Sequence, residues 1–132
     1  MVKIACLSDP HCGHFTGLTM PKFWTQKSIS INEPTWNWFA TEIEENGPFD
    51  LALWGGDLIE GKGKKSASTE LIENSLLEQA EMATEVVKFV NAGQNVFAYG
   101  TPYHVSDCGE DIESLICKNV NGYIDDEPIM EV

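Results

Sequence analysis

The sequence predicts an α/β protein with a parallel or mixed sheet and helices on both faces of that sheet. Three short apolar runs, at Val2–Leu7, Phe49–Trp54 and Asn95–Tyr99, have the composition of buried strands. A segment with helical spacing of its apolar residues follows each run, and this alternation is typical of parallel strands joined by right-handed crossovers. The carboxyl ends of such strands lie at one edge of the sheet, where α/β proteins bind their ligands.

Length and composition indicate one globular domain over residues 1–132. The chain has 42% hydrophobic and 22% charged residues, a formal net charge of −13 and no arginine. The lack of a broad basic surface argues mildly against binding of long nucleic acids. No apolar run has the length of a membrane span, and Met1-Val2-Lys3 does not begin a secretory signal. A cytoplasmic protein without membrane contact is therefore expected.

The four cysteines form neither a CxxC motif nor a paired zinc spacing, so reduced thiols are expected. Cys6 and Cys117 lie among apolar residues and are predicted to belong to the core. Cys12 lies beside the candidate site residues, where its thiol either supports the site or is incidental. Catalysis by a cysteine is the weaker interpretation. The four residues are Cys6, Cys12, Cys108 and Cys117.

A long loop and a helix follow the first strand. Residues 13–32 are irregular and contain scattered aromatic residues, which is typical of a lid or flap; His14 in this loop is more simply a surface imidazole. Asn32 is predicted to cap a helix with Pro34 in its first turn, and Asn46-Gly47-Pro48 to end it. The apolar stripe of this helix favours a core position over a base-stacking platform. The stripe consists of Trp36, Phe39, Ala40 and Ile43.

The second strand leads through Gly55-Gly56-Asp57 into a lysine-rich loop and a long helix. The glycines allow a sharp turn and leave space near the acid. The lysines of Gly61–Lys65 either meet a substrate phosphate or, in the simpler interpretation, face solvent. The helix is expected to begin around residue 67 or 68 and to end before Gly93. Its apolar stripe consists of Leu71, Ile72, Leu76, Ala80, Ala83, Val87 and Val90.

The third strand ends in Gly100-Thr101-Pro102-Tyr103-His104. A third helix is predicted over Asp107–Lys118, with Asn121-Gly122 closing it. The last residues, Pro128–Val132, have the composition of a strand that has just begun.

Three predicted strand ends carry polar side chains of the kinds that bind metals. Asp9 and His11 follow the first strand, Asp57 follows the second, and Thr101 with His104 follows the third. Carboxylate oxygen and imidazole nitrogen together suit Mn, Fe or Zn. A single polar turn after a strand is common, and Asp-Pro is a frequent turn dipeptide. Three such ends at one edge of a sheet favour a metal site.

These motifs resemble those of the calcineurin-like metallophosphoesterases. Ser8-Asp9-Pro10-His11 matches the family's Asp-x-His after the first strand, and Gly56-Asp57 matches its Gly-Asp after the second. Gly100-Thr101-Pro102-Tyr103-His104 stands where the family has Gly-Asn-His-Glu or Gly-Asn-His-Asp, and it is similar to a variant of phage and prophage members. The resemblance covers nearly the whole chain and implies the N-terminal half of the family's α/β sandwich.

The resemblance also implies hydrolysis of a phosphate ester by metal-activated water. Asp9 and His11 would bind a first metal, Asp57 would bridge two, and Thr101 would replace the family's asparagine ligand. His104 would protonate the leaving oxygen or hydrogen-bond the phosphate. One or two divalent ions (Mn, Fe, Zn or Ni) are expected as cofactors, with a phosphomonoester or phosphodiester as substrate.

The family continues with a lone histidine and a Gly-His-x-His pair, whereas no histidine follows His104 in this sequence. We therefore expect a domain that is incomplete at its C-terminus and is completed by a homo-oligomer or by a second chain. Two alternatives stay open: a binding or assembly module without catalysis, and a phage-type nuclease that acts on nucleic acid. A metal-free nucleotide-binding protein is the weakest interpretation, because neither Gly-x-Gly-x-x-Gly nor a Walker sequence is present.

Overall fold

The computed structural model of this chain describes residues 1–61, 71–73, 75–98 and 112–125. Its strands and α-helices alternate, which confirms the predicted α/β class. A short 3-10 helix, Pro21–Phe23, lies in the loop that follows the first strand. The main elements are β1 (Ile4–Leu7), α1 (Ile29–Asn46), β2 (Leu51–Trp54), α2 (Leu76–Val90), β3 (Gln94–Ala98), α3 (Ile112–Asn119) and β4 (Tyr123–Asp125).

The four strands form one parallel sheet in the order β1-β2-β3-β4. One row of paired residues across it is Leu7, Trp54, Phe97 and Ile124. Paired residues of neighbouring strands point to the same face of a sheet, and successive residues of one strand alternate between faces. Because the strands follow one another in sequence order, right-handed crossovers place all the connecting helices on the same face.

The two faces of the sheet differ in burial as this topology requires. Trp54 and Phe97, on one face, are 2% and 0% exposed, whereas Ile4 and Tyr123, on the other, are 50% and 60% exposed. Cys6 shares the second face and is also exposed. In the described part of the chain, helices therefore cover one face and not both as predicted. The core position predicted for Cys6 is wrong for the same reason, since nothing described packs over that face.

The apolar stripe of α1 lies in the core, as predicted. Trp36 and Phe39 are each 6% exposed. The Trp36 ring meets Phe89 of α2 in an edge-to-face contact with 4.9 Å between ring centroids, and Phe39 lies 6.3 Å from the same ring. Such aromatic pairs stabilise the packing beyond their buried area by about 1 kcal/mol each. This cluster joins α1 to α2 above the buried face of the sheet.

The first helix begins earlier than predicted, at Ile29. Thr25 and Ser28 form a turn in which each backbone N–H is satisfied by the other's hydroxyl, at 3.0 and 3.2 Å. Asn32, the predicted cap, is instead buried inside the helix, and its side-chain amide donates to Phe15 O at 2.9 Å. The amide therefore ties the helix to the preceding loop, a role that a capping pattern does not reveal.

The long helix begins later than predicted, at Leu76, where Ser75 accepts a capping hydrogen bond from the backbone of Glu78. Leu71 and Ile72 were assigned to its apolar stripe, but they are not helical. Leu71 forms a bridge with His14, and Ile72 N donates to Gly13 O at 2.7 Å. This segment is extended because its backbone bonds are made with the loop after β1.

The remaining element bounds agree in part with the prediction. Helix α1 ends at Asn46 as expected, although Pro34 lies inside it instead of in its first turn. Strand β4 was not predicted, and the strand proposed at Pro128–Val132 lies outside the described residues, as does the predicted start of the third helix. Within the described ranges, no helix combines the length and the apolar character that crossing a bilayer requires.

Candidate metal site

The segments that follow β1 and β2 run side by side beyond the ends of the strands. The backbone N–H of Asp9 donates to Gly56 O, and that of His11 donates to Asp57 O, both at 3.1 Å. These bonds extend the pairing of the two strands into the polar turns. The residues predicted from two separate strand ends are therefore fixed against each other by the backbone and not by side chains alone.

The predicted ligands share an unusual backbone conformation. Asp9, His11 and Asp57 have φ values of 55°, 46° and 52°. The left-handed region disfavours residues with a Cβ by about 1–2 kcal/mol, less for Asp and Asn, whose side chains bond locally. Strained residues of this kind cluster at functional sites, where the surrounding structure over-determines them. Three of them in two adjacent turns indicate that the positions of these side chains are under a functional constraint.

The three side chains converge on a small volume. One ligand atom from each of Asp9, His11 and Asp57 lies within 4.8 Å of the other two. His11 Nε2 lies 3.3 Å from Asp9 Oδ1. The side chain of Asp9 is 55% exposed, whereas Asp57 is 8% exposed, so the cluster has an open side at Asp9 and a closed side at Asp57.

Neighbouring groups keep Asp9 in its charged form. The hydroxyl of Ser8 donates to Asp9 Oδ2, and this bond is the largest influence that lowers the pKa of the carboxyl. Partial burial opposes the shift, while Asp57 and His11 reinforce it. A carboxylate that is ionised and partly exposed can bind a cation without first losing a proton.

The donor set fits a divalent transition-metal ion. Two carboxylates and one imidazole are the mixture of oxygen and nitrogen that suits Mn, Fe or Zn, as predicted from the sequence. Three protein ligands leave coordination positions for water or for a substrate oxygen, as catalytic sites do. The structure thus brings together Asp9, His11 and Asp57 in an arrangement that could hold a metal ion.

Glu60 belongs to this neighbourhood, although the sequence analysis assigned it no role. His11 Nδ1 lies 2.8 Å from Glu60 Oε2, and the Glu60 side chain is only 16% exposed. The signal available in the sequence was an acid three residues after Asp57, within Gly56-Asp57-Leu58-Ile59-Glu60-Gly61. Spacing alone does not say that its partner comes from the other strand end, 49 residues away.

A cavity of about 600 Å³ adjoins the cluster. Asp9, His11 and Glu60 line it, as does Trp38 on α1, which is 65% exposed. Other apolar side chains that line it come from the loop after β1, from α1 and from β2. These are Leu18, Phe39 and Trp54.

Two other sequence candidates have defined positions. His14 lines the same cavity outside the cluster, and its Nδ1 accepts a 3.0 Å hydrogen bond from Thr16 N. Cys12 is fully buried, and burial raises the pKa of its thiol to about 12. Its Sγ donates to Leu18 O at 3.4 Å. Cys12 is therefore a core residue that stays protonated at neutral pH, and it is neither a nucleophile nor a ligand.

The predictions for the third strand end fall outside the described residues. Thr101 and His104 belong to this group, as do the loop lysines of residues 62–65 and Cys108. Within the residues that the structure does describe, Asp9, His11 and Asp57 are the one group of three with metal-binding geometry. The carboxyl edge of β1 and β2 alone accounts for that group.

No protein-family model matches the sequence, and a search of curated proteins finds no significant match.

Proposed function

We propose that this chain is a calcineurin-like metallophosphoesterase that hydrolyses a phosphate ester with water. The observation that carries the proposal is the convergence of Asp9, His11 and Asp57 at the carboxyl edge of a parallel sheet, each in a left-handed conformation. Two of the motifs behind the family resemblance, Asp-x-His and Gly-Asp, supply these three residues. Their adjacency supports the resemblance, because the family's metal site requires these two motifs to meet.

Each residue of the cluster has a role set by its environment. Asp9 and His11 provide an anionic oxygen and a nitrogen on the side open to the cavity, and the buried Asp57 closes the opposite side. A divalent ion held by these ligands would lower the pKa of bound water towards neutrality and would neutralise charge on a phosphate. Thr101 and His104 remain proposed as a further ligand and as the group that protonates the leaving oxygen.

The cavity supports a substrate with an organic group next to the phosphate. Asp9 and His11 line the cavity together with an apolar wall that includes the exposed side chain of Trp38. A phosphomonoester or phosphodiester with an aromatic or apolar leaving group would place its phosphate at the ligands and its leaving group against this wall. Single-stranded DNA, the substrate of a phage-type nuclease, offers the same combination of phosphate and aromatic base.

A second candidate, a binding or assembly module without catalysis, is favoured by one observation. Ile4 and Tyr123 leave an exposed apolar surface on the sheet face that the described helices do not cover. Surfaces of this kind mark protein–protein contacts when they are large. The two functions differ in what a metal does: an assembly module has no reason to be stabilised by Mn²⁺ or destabilised by a chelator.

The deciding experiment combines metal binding and turnover. Elemental analysis and melting with added Mn²⁺ or with chelator would be measured for the wild type and for Asp57→Asn. Asp50→Asn is the matched control, because Asp50 lies exposed at the other end of β2 and accepts a bond from Lys3 N. A ligand at 100 times its Kd stabilises the folded state by about 2.7 kcal/mol, which raises the melting temperature by several degrees.

We expect wild type and Asp50→Asn to bind Mn²⁺, to melt at higher temperature with it, and to hydrolyse bis-p-nitrophenyl phosphate or p-nitrophenyl phosphate. Asp57→Asn should lose all three responses, because a buried anionic ligand is replaced by a neutral amide. If Mn²⁺, Zn²⁺ and chelator all left the melting temperature of the wild type unchanged, the proposal would be rejected and the assembly module favoured. Cleavage of single-stranded DNA without hydrolysis of p-nitrophenyl phosphate would select the nuclease.

A further inference from the structure

The carboxylate of Glu60 is within hydrogen-bonding distance of the imidazole of His11. The two side chains come from different strand ends, and His11 Nδ1 lies 2.8 Å from Glu60 Oε2. The side chains are 27% and 16% exposed, so this pair is more shielded than an ordinary surface ion pair. A charge-assisted bond of this length in a partly buried setting is stronger than the same bond in water.

The backbone on both sides of Glu60 is fixed independently of the pair. Glu60 N donates to Cys12 O at 3.0 Å, next to His11 in the chain. The following residue, Gly61, forms two hydrogen bonds with the side chain of Gln79, one from its N–H and one to its carbonyl, both at 2.9 Å. Gln79 is fully buried in α2. The carboxylate of Glu60 is therefore presented to the imidazole by a rigid frame.

The contact distinguishes the two nitrogens of the His11 ring. Glu60 lies at Nδ1, whereas Asp9 lies at Nε2, 3.3 Å away. When Nδ1–H donates to Glu60, a neutral imidazole carries its lone pair on Nε2. That lone pair then lies on the side of the ring next to Asp9 Oδ1, where a cation would fit between the two acceptors. Glu60 itself lies on the opposite side of the ring and is not part of the three-residue cluster.

We infer that Glu60 is a positioning residue for the metal site: it holds His11 in the tautomer and orientation that aim Nε2 at the ligand cluster. The metal-binding part of this inference rests on the proposed function, and the tautomer part does not. Carboxylates that orient metal-binding histidines typically change metal affinity by about 10–100-fold when they are removed. The inference adds a fourth residue to the site, Glu60, which acts on the metal ligands through His11.

The test compares Glu60→Leu, which removes the acceptor, with Glu60→Gln, which keeps an oxygen at the same position. Glu45→Gln is the matched control, since Glu45 is an exposed acid on α1. The first readout is the tautomer of His11 in metal-free protein at a pH where the imidazole is neutral, from long-range nitrogen–proton NMR, with the His11 signal identified by its loss in His11→Gln. The second is Mn²⁺ affinity by titration calorimetry.

We expect the wild type and Glu45→Gln to show the Nδ1–H tautomer of His11. Glu60→Leu should show more of the Nε2–H form and a Kd for Mn²⁺ raised about 10–100-fold, with Glu60→Gln in between. If Glu60→Leu does not fold, Glu60→Gln carries the test, because an amide acceptor still weakens the bond. An unchanged tautomer in a folded Glu60 variant would overturn the inference.

The two proposals fail in different ways. If the wild type binds no metal, the proposed function fails, yet a tautomer change in the Glu60 variants still supports the positioning of His11. If the wild type binds Mn²⁺ and the Glu60 variants bind it equally well with the same tautomer, the inference fails and the metal site stands. A merely structural role for Glu60 would lower the melting temperature and leave the tautomer of His11 unchanged.

Discussion

The two edges of the sheet use the same backbone conformation for different purposes. Apart from glycine, the described residues with positive φ are Asp9, His11 and Asp57 at the carboxyl edge and Asn91 and Asn121 at the amino edge. Asn91 caps the end of α2, and Asn121 follows α3, each just before a strand. Asparagine is among the residues that best tolerate the left-handed region at a helix end.

The difference lies in the side chains. Asn91 and Asn121 are exposed, and the chain needs only their backbone conformation. At the carboxyl edge the same conformation turns two carboxylates and an imidazole towards one point, within 4.8 Å. An edge that needed only turns would be served by glycine, which adopts left-handed φ at little cost. The convergence of two carboxylates and an imidazole at the carboxyl edge is what distinguishes a candidate site from a chain reversal.

The largest effect on stability is expected where α2 holds the carboxyl edge in place. The Gln79 amide donates to Gly61 O and Glu73 O and accepts from Gly61 N. Gly13 adds to the fit, since a Cβ there would lie 2.6 Å from the Gln79 side chain. Gln79→Leu would leave buried backbone groups unpaired and should destabilise the fold by about 3 kcal/mol. Urea unfolding measures this loss.

Gln79→Glu is a companion variant, because it keeps the shape and the acceptor, loses the donors and places a carboxyl group in the interior. It should be destabilised as well, with Gly61 O and Glu73 O unpaired. A Gln79→Leu variant within about 0.5 kcal/mol of the wild type would show that α2 does not hold this edge, since changes of that size are typical of surface substitutions.

A smaller effect should appear at alkaline pH, because the carboxyl edge buries the thiol of Cys12. Burial raises its pKa from 9.0 to about 12. An acid whose folded pKa is raised stabilises the protein below its unfolded pKa, and this stability is lost as the pH rises from about 9 towards 12. Wild type should therefore lose roughly 1 kcal/mol more than Cys12→Ala between pH 8 and pH 10.

The Cys12 difference would be measured by chemical unfolding at both pH values, so that other titrating groups cancel between the two proteins. If the free energy of unfolding changed equally with pH in wild type and Cys12→Ala, the thiol would be accessible to solvent in the folded protein. Alkylation with iodoacetamide and peptide mapping gives an independent check. Cys6, exposed on the uncovered sheet face, should react in the folded protein, and Cys12 should not.

The smallest change in stability is expected from the left-handed backbone conformation of Asn91. Asn91→Gly should stabilise the protein by at most about 0.5–1 kcal/mol, while Asn91→Ala should destabilise it by about 1 kcal/mol, because alanine resists φ of 53°. Neither change should alter Mn²⁺ binding. Asp57→Gly should likewise relieve its backbone but lose the metal response. Thermal melts with and without Mn²⁺ separate the two edges, and a stability loss in Asn91→Gly would contradict the strain argument.

Local patterns predicted the strands because each is a short apolar run followed by a turn. They predicted the end of α1 because Asn46-Gly47-Pro48 cannot continue a helix. They failed at the start of α2, because Leu71 and Ile72 have helical spacing to Leu76 while their backbone bonds are made with the loop around Gly13. Sequence spacing carries no information about a competing partner nearly 60 residues away.

By itself, the sequence determined the α/β class and the meeting of Asp9, His11 and Asp57. Parallel strands end at the same edge of the sheet, so the residues that follow neighbouring strands lie close together. Only the tertiary structure decided that helices cover one face, that Gln79 holds the edge and that Glu60 contacts His11. These features depend on strand order and on contacts between residues 18 and 49 positions apart. Periodicity and turn signals report on residues that are neighbours along the chain, whereas these contacts join residues that only the packed fold brings together.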